Sequence, residues 1–169
     1  SWSEYHLADA GGLQRIETGA LPVSTALGVL GMPGRTAYFG TREVLEPRAG
    51  DTVVVSAAAG AVGSVVGQLA KLQGARVVGF AGSDEKCEVV EDEFGFDACI
   101  NYKATDDYTE ALAEAAPAGI DGYFDNVGGP ITDAVFTQLN VDARVAVCGQ
   151  IALYNAQEMP TGPRKLGKL

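Results

Sequence analysis

Short β-branched segments alternate with helical segments between residues 51 and 149. The first strand is predicted at 52–56, and the residues after it carry apolar side chains at helical spacing. Four further strands follow, each separated from the next by a helical segment. This alternation predicts right-handed βαβ units, and therefore a parallel sheet with helices on both of its faces.

The other predicted strands are 76–80, 98–100, 120–124 and 144–148. The predicted helices are 60–73, 83–94, 106–116 and 130–139. Ser83 is a candidate N-cap for the second of these helices, and Pro130 falls in the first turn of the last. The fold class is therefore α/β, with a doubly wound parallel sheet from which a sixth, last strand is missing.

Composition restricts the classes of partner. The chain has 169 residues, enough for one domain with its own core, and a formal net charge of −10. Such a charge disfavours nucleic acid and anionic membranes, so an anionic ligand must be held by local donors. The acidity fits both solubility and adaptation to a salty cytoplasm, and the sequence does not separate these explanations.

Cysteine and histidine are too few and too scattered for a metal site. Cys87, Cys99 and Cys148 form no C-x-x-C pair, and His6 is the only histidine. We therefore expect no metal, reduced thiols and a cytoplasmic protein. No apolar run is long enough to span a membrane, and the pattern of the first residues leads us to expect no signal peptide.

The segment 55–63, Val-Ser-Ala-Ala-Ala-Gly-Ala-Val-Gly, lies between a predicted strand and a predicted helix. Small residues there would let the backbone approach a pyrophosphate, and the helix would offer free N–H groups. Gly63 permits close packing of helix on strand, whereas Ala58 replaces the first glycine of G-x-G-x-x-G. A tight turn without a ligand is the alternative, but the surrounding βα units favour binding.

The end of the second strand indicates which dinucleotide would bind. Sites for NAD carry an acid there, whereas this strand continues as Ala81-Gly82-Ser83. Ser83 could donate to a 2′-phosphate, and the charge of Lys86 suits one. Asp84 and Glu85 argue mildly against a phosphate, although both also fit as acids that complement a helix N-terminus. We expect NADP(H) rather than NAD(H).

Taken together, these motifs resemble the zinc-independent leukotriene B4 dehydrogenase / prostaglandin reductase branch of the medium-chain dehydrogenase/reductases. This branch includes double-bond reductases. The resemblance covers nearly the whole chain and rests on motifs at 28–34, 36–40, 57–63, 81–86, 101–103, 123–129 and 148–151, with Tyr154-Asn155.

The resemblance implies a Rossmann-like NADP-binding domain beside a GroES-like substrate domain, and NADPH-dependent reduction of the carbon–carbon double bond of enones or enals. It implies that Lys86 and Tyr102 contact the 2′-phosphate end of the cofactor. Asn126 would lie near the nicotinamide ribose, and Tyr154 near the substrate carbonyl as the catalytic residue. The predicted cofactor-binding residues are Met32, Thr36, Ala59, Gly60, Ala61, Val62, Gly63, Gly82, Ser83, Lys86, Tyr102, Asn126, Cys148, Gly149 and Tyr154.

The same resemblance divides the chain. Residues 1–21 match the end of a truncated substrate domain, and 22–169 match a cofactor domain that is incomplete at its C-terminus. The sequence thus indicates a piece of a longer protein, which alone would show little or no turnover. A homodimer through the sheet edge at the fifth strand is plausible.

Two other functions remain open. The first is an NADPH quinone reductase of the same superfamily, because quinones and enones are both conjugated electrophiles. The second is a non-catalytic module that binds NADP or mediates an interaction. We interpret the substrate as a small conjugated carbonyl compound. The sequence does not define it further.

Overall fold

The computed structural model describes residues 3–157. Trp2 and the tail with Pro160 and Gly162 lie outside the described residues. The strands are β1 (Thr52–Val55), β2 (Arg76–Ala81), β3 (Ala98–Asn101), β4 (Ile120–Asp125) and β5 (Leu139–Val147). The helices are α1 (Met32–Phe39), α2 (Gly63–Leu72), α3 (Asp84–Asp92), α4 (Tyr108–Ala115) and α5 (Gly129–Phe136).

All neighbouring strands are parallel, in the order β3-β2-β1-β4-β5. The chain moves outward from β1 to β3, then crosses back to β4 on the other side of β1. This reversal is the topological switch point, where open α/β sheets bind ligands at the carboxyl ends of their strands. The predicted doubly wound α/β fold is therefore confirmed, and β5 lies at a sheet edge as expected.

The central strands are buried because helices cover both faces of the sheet. All four residues of β1 are buried, as are all residues of β2 except Arg76. One face packs against α2 and α3 through Val66 and Val90, and the other packs against α4 and α5 through Leu112 and Val135. Burial of each such side chain stabilises the fold by about 1.5–3 kcal/mol.

Three predicted boundaries are wrong by three residues or more. The helix predicted at 130–139 ends at Phe136, because β5 already begins at Leu139. Helix α2 begins at Gly63 and not at residue 60, because residues 57–62 form a turn. Strand β5 begins at Leu139, five residues before the predicted start at 144. Its first half lacks a β-branched run and pairs with β4 through a register shift, with Asp142 at φ 65°. Pairing with β4, rather than local sequence preference, makes this half a strand.

Helix α1 continues into a π-helix at Gly40–Leu45, which the sequence pattern did not predict. A Cβ atom built at Gly40 would lie 2.5 Å from the ring of Phe124, so only glycine allows this approach to β4. No residue between 3 and 30 is buried. Among the described residues, no helix has the length and apolar character needed to cross a membrane.

Candidate nucleotide-binding site

A groove of about 480 Å³ opens at the carboxyl ends of the strands, beside the switch point. Five predicted cofactor-binding residues border it: Ala59, Gly60, Gly82, Lys86 and Tyr102. The sequence list omitted six other lining residues: Ala57, Ala81, Val127, Ile131, Ile151 and Ala152. These six are small or apolar, so no titratable or hydrogen-bonding side chain marked them. Four of them, Ala57, Ala81, Val127 and Ile151, fall within the motifs that carry the family resemblance, and this position is the signal that could have pointed to them.

The turn between β1 and α2 holds its backbone in a strained shape. Ala57 has φ 52°, a left-handed conformation that costs a non-glycine residue roughly 1–2 kcal/mol. The Ala57 carbonyl accepts a 2.9 Å hydrogen bond from Gly60 N–H. A Cβ atom at Gly63 would overlap that carbonyl, so α2 can start so close to the turn only with glycine there. Such strain concentrates at ligand sites.

The alanine that replaces the first motif glycine has a compensating partner in β2. A Cβ atom built at Gly79 would lie 2.7 Å from the Cβ of Ala58, which is buried. The absent side chain of Gly79 therefore makes room for the methyl group of Ala58. The departure from G-x-G-x-x-G is accommodated inside the fold and leaves the turn next to the groove intact.

Helix α2 presents unpaired donors at its start. Within residues 3–157, no protein acceptor pairs with the N–H groups of Ala61, Val62 or Gly63. The first N–H groups of a helix and its dipole together favour an anion. The predicted residues 59–63 thus form a turn whose donors can hold a phosphate.

Beyond the turn, Lys86 and Tyr102 both border the groove near Gly82. A Cβ atom at Gly82 would lie 2.7 Å from the Tyr102 hydroxyl, so this glycine lets the tyrosine close over the end of β2. Among the described residues, no carboxylate forms an ion pair with Lys86. One ammonium group and one hydroxyl therefore stand where the acid of an NAD site would stand.

Ser83 is the N-cap of α3, as predicted, and accepts a 3.4 Å hydrogen bond from Lys86 N–H. Its hydroxyl and the backbone N–H of Glu85 also hold the pKa of the Glu85 carboxyl below its ordinary value. Ser83 is therefore engaged within its own helix as an acceptor, and the Glu85 carboxylate lies close to its hydroxyl. The nearby carboxylate weakens the case for Ser83 as a phosphate donor, although the residue follows Gly82, which borders the groove.

Asp125, at the end of β4, is only 2% exposed. Its carboxylate accepts hydrogen bonds from the hydroxyls of Ser56, Tyr123 and Thr132 and from the N–H groups of Val127 and Gly128. Burial raises the pKa of Tyr123, and the charge of Asp125 raises it further, so the phenol stays protonated and donates. We call these six residues the Asp125 network. It joins Ser56, the residue after β1, to β4 and α5, and its member Val127 borders the groove.

The Asp125 network fixes Asn126. The Asn126 N–H donates to Ser56 Oγ at 2.8 Å, and the amide Nδ2 donates to Ser56 O at 2.8 Å. A Cβ atom at Gly149 would lie 3.4 Å from Asn126 O and 3.4 Å from the Tyr154 hydroxyl. The structure therefore brings Asn126, Gly149 and Tyr154 together, although Tyr154 is 71% exposed and does not border the groove.

The remaining predicted residues lie apart from the groove. Thr36 and Cys148 line a separate hollow of about 310 Å³ against Phe124. Partial burial and then the charge of Asp125 raise the pKa of the Cys148 thiol. Met32 is the first residue of α1, is 69% exposed and borders neither hollow.

A larger hollow of about 540 Å³ lies at the opposite ends of the strands. Four acidic side chains and two arginines line it, and Arg144 is already paired with Glu46 at 2.7 Å. Its excess of carboxylates would repel a dinucleotide. The groove beside the switch point is therefore the better candidate for an anionic ligand. No group of three or more His, Cys, Asp or Glu side chains within residues 3–157 is arranged to hold a metal ion.

Comparison with known proteins decides the family. Residues 61–166 match the family model described as zinc-binding dehydrogenase. The chain belongs to this family. It is 48% identical to the NADPH-dependent curcumin reductase of Escherichia coli, over 98% of this chain and 48% of that protein. It is 49% identical to prostaglandin reductase 1 of Oryctolagus cuniculus, over 96% of this chain and 47% of that protein.

The structural comparison agrees. A crystal structure of CurA from Vibrio vulnificus in complex with NADPH superposes with a TM-score of 0.84 and 51% identity. The match covers 93% of this chain and 47% of that one. The resemblance to the zinc-independent prostaglandin reductase branch is thereby confirmed. The chain spans about half the length of the relatives it matches.

Proposed function

We propose that this chain binds NADPH in the groove and is the cofactor-binding half of a reductase that acts on the conjugated double bond of enones or enals. The observation that carries the proposal is that Lys86 and Tyr102 border the same groove, with the Tyr102 hydroxyl close to Gly82, whereas no acid follows directly after the end of β2. The names of the relatives, an NADPH-dependent curcumin reductase and prostaglandin reductase 1, support the same function.

The residues present fit the adenosine half of NADPH. The free N–H groups at the start of α2 would hold the pyrophosphate. Val127 and Ile131 give the groove an apolar wall for the adenine. Lys86 and Tyr102 would hold the 2′-phosphate, the lysine as a point charge and the tyrosine as a hydroxyl donor.

The nicotinamide half would extend towards Asn126, Gly149 and Tyr154. Asn126 donates its Nδ2 to Ser56 O, so its Oδ1 remains to accept a hydrogen bond from a hydroxyl of the nicotinamide ribose. Thr36, Cys148 and Met32 would lie on the far side of the nicotinamide. Bound NADPH would supply a hydride for the double bond. The Tyr154 hydroxyl would donate to the substrate carbonyl oxygen and stabilise the negative charge that develops there.

The proposed domain division is residues 1–21 for the end of a substrate domain and 22–169 for the cofactor domain. Its support is the complete exposure of residues 3–17, which add nothing to the core. The outer edge of β5 would accept a strand from a second copy in a homodimer, as the sequence suggested.

Lys86→Ala should weaken binding of 2′,5′-ADP about tenfold and change binding of 5′-AMP little, since the two ligands differ only by the 2′-phosphate. Both ligands occupy the adenosine half alone, so a nicotinamide subsite is not needed. At 17.5 kDa the chain suits titration followed by amide NMR shifts. The shifts should cluster at residues 59–63, 82–86 and 102.

Arg42→Ala is the matched control, because it removes the same charge from an exposed residue that does not border the groove. It should leave both affinities within about twofold of the original. Equal affinity of the original chain for 2′,5′-ADP and 5′-AMP, or NMR shifts outside the groove, would contradict the NADPH proposal.

Enone reduction is tested in a longer protein. It combines these 169 residues with a segment that supplies the other half of its full-length relatives. We expect NADPH oxidation by an α,β-unsaturated ketone, and a fall in kcat of about 100-fold in Tyr154→Phe. The measurement is the loss of NADPH absorbance. Faster turnover of a quinone than of the enone would favour the quinone reductase instead.

A further inference from the structure

An acid at the start of α3 is held by an amide at the end of β3. Asn101 Nδ2 donates to Asp84 Oδ1 at 2.7 Å, and Asn101 Oδ1 accepts from Lys103 N–H at 3.1 Å. Only this orientation of the amide satisfies both neighbours, since a carboxylate accepts and an N–H donates. Both ends of the Asn101 side chain are therefore engaged, and the position of the Asp84 carboxylate is fixed.

Asn101 and Tyr102 lie on opposite faces of the sheet. Successive side chains of a strand alternate, and Cys99, two residues before Asn101, packs in the core cluster that contains Val66 and Val90 of α2 and α3. Tyr102 packs in the other cluster and borders the groove. Asn101 thus keeps Asp84 on the α3 side, and Asp84 does not border the groove although Lys86 does.

The place of this carboxylate matters for the choice between the two dinucleotides. A carboxylate that reaches the adenosine ribose accepts from the 2′-hydroxyl of NADH and repels the 2′-phosphate of NADPH. Asp84 is three residues beyond the end of β2, and its side chain is exposed. Without a partner it would be free to turn towards the ribose.

We propose that Asn101 is a specificity-determining residue, which keeps the Asp84 carboxylate away from the 2′ position of the bound nucleotide and so favours NADPH over NADH. The inference rests on the proposed binding of a dinucleotide in the groove. It extends that proposal because it assigns the preference for the 2′-phosphate to a residue that touches neither the phosphate nor the ribose.

The test is the ratio of the dissociation constants for 5′-AMP and 2′,5′-ADP in the 169-residue chain, measured by NMR titration. The ratio should fall about fivefold in Asn101→Ala, because the Asp84 carboxylate would then be free to repel the 2′-phosphate. A change of this size is expected from one exposed charge. Asp84→Asn in the Asn101→Ala background should restore the ratio to within about twofold of the original. This rescue is a readout that a purely structural role of Asn101 would not give.

The chain contains a matched control at the opposite end of the sheet. Asn140 Nδ2 donates to Asp121 Oδ1 at 2.8 Å, a similar amide–carboxylate contact away from the groove. Asn140→Ala should leave the ratio unchanged. An unchanged ratio in Asn101→Ala, or a fall that Asp84→Asn does not restore, would overturn the role of Asn101. If the original chain shows no preference for 2′,5′-ADP over 5′-AMP, both the NADPH proposal and the proposed role of Asn101 fail.

Discussion

Asp125→Ala should lower the free energy of unfolding by about 4 kcal/mol, because it leaves several buried donors without an acceptor. Asp125 is 2% exposed, and the five donors of its network come from the residue after β1, from β4, from α5 and from the loop after β4. Two of these donors, Val127 N–H and Gly128 N–H, lie in the segment that also positions Asn126. Denaturant unfolding measures the loss as a lower midpoint.

Asp125→Asn provides a graded comparison. The amide retains one oxygen for the N–H groups but loses the charge, so we expect a cost of about 1–2 kcal/mol. Asp106→Ala is the control, because Asp106 is exposed and no hydrogen bond is assigned to its carboxylate within the described residues. It should change stability by less than about 0.5 kcal/mol. A cost below about 1 kcal/mol for Asp125→Ala would show that the network contributes little to the fold.

Gly63→Ala should lower stability by about 3 kcal/mol and weaken 2′,5′-ADP binding at least about tenfold. The added Cβ would overlap the carbonyl of Ala57, which is backbone and cannot swing aside. Either α2 moves away from the turn or residues 57–62 rearrange, and both changes displace the N–H groups proposed to hold the pyrophosphate. Denaturant unfolding and NMR titration measure the two effects separately.

Gly12→Ala is the matched glycine control. A Cβ atom built at Gly12 meets nothing within 4 Å, and its φ is not positive. We therefore expect unchanged binding and a stability within about 0.5 kcal/mol of the original. If Gly63→Ala retained full affinity for 2′,5′-ADP, the turn would not be a phosphate site, whatever its effect on stability.

The fold could be predicted because its signal is local. The β-branched runs at β1 and β2 and the apolar spacing of α2 follow directly from strand and helix periodicity. The first half of β5 could not be predicted in this way. It contains the exposed Val141 and Asp142, and it is a strand only because β4 offers a partner for its backbone.

Site residues could be predicted only where the side chain carries a charge or a hydrogen-bonding group. Lys86 and Tyr102 carry a charge and a hydroxyl, and the structure places both on the groove. Val127 and Ile131 also line it, but their side chains suggest only a core. For Ala57, the sequence gives no sign of its positive φ, which depends on how the turn closes against α2.

The sequence by itself determined the class of fold, the position of the turn proposed to hold the pyrophosphate and the absence of an acid at the end of β2. All three depend on spacing along the chain. Only the tertiary structure decided which distant residues meet: Ser56 with Asp125, Ala58 with Gly79, and Asp84 with Asn101. Such pairs are set by the register of neighbouring strands and by the packing of helices on them, which periodicity does not specify.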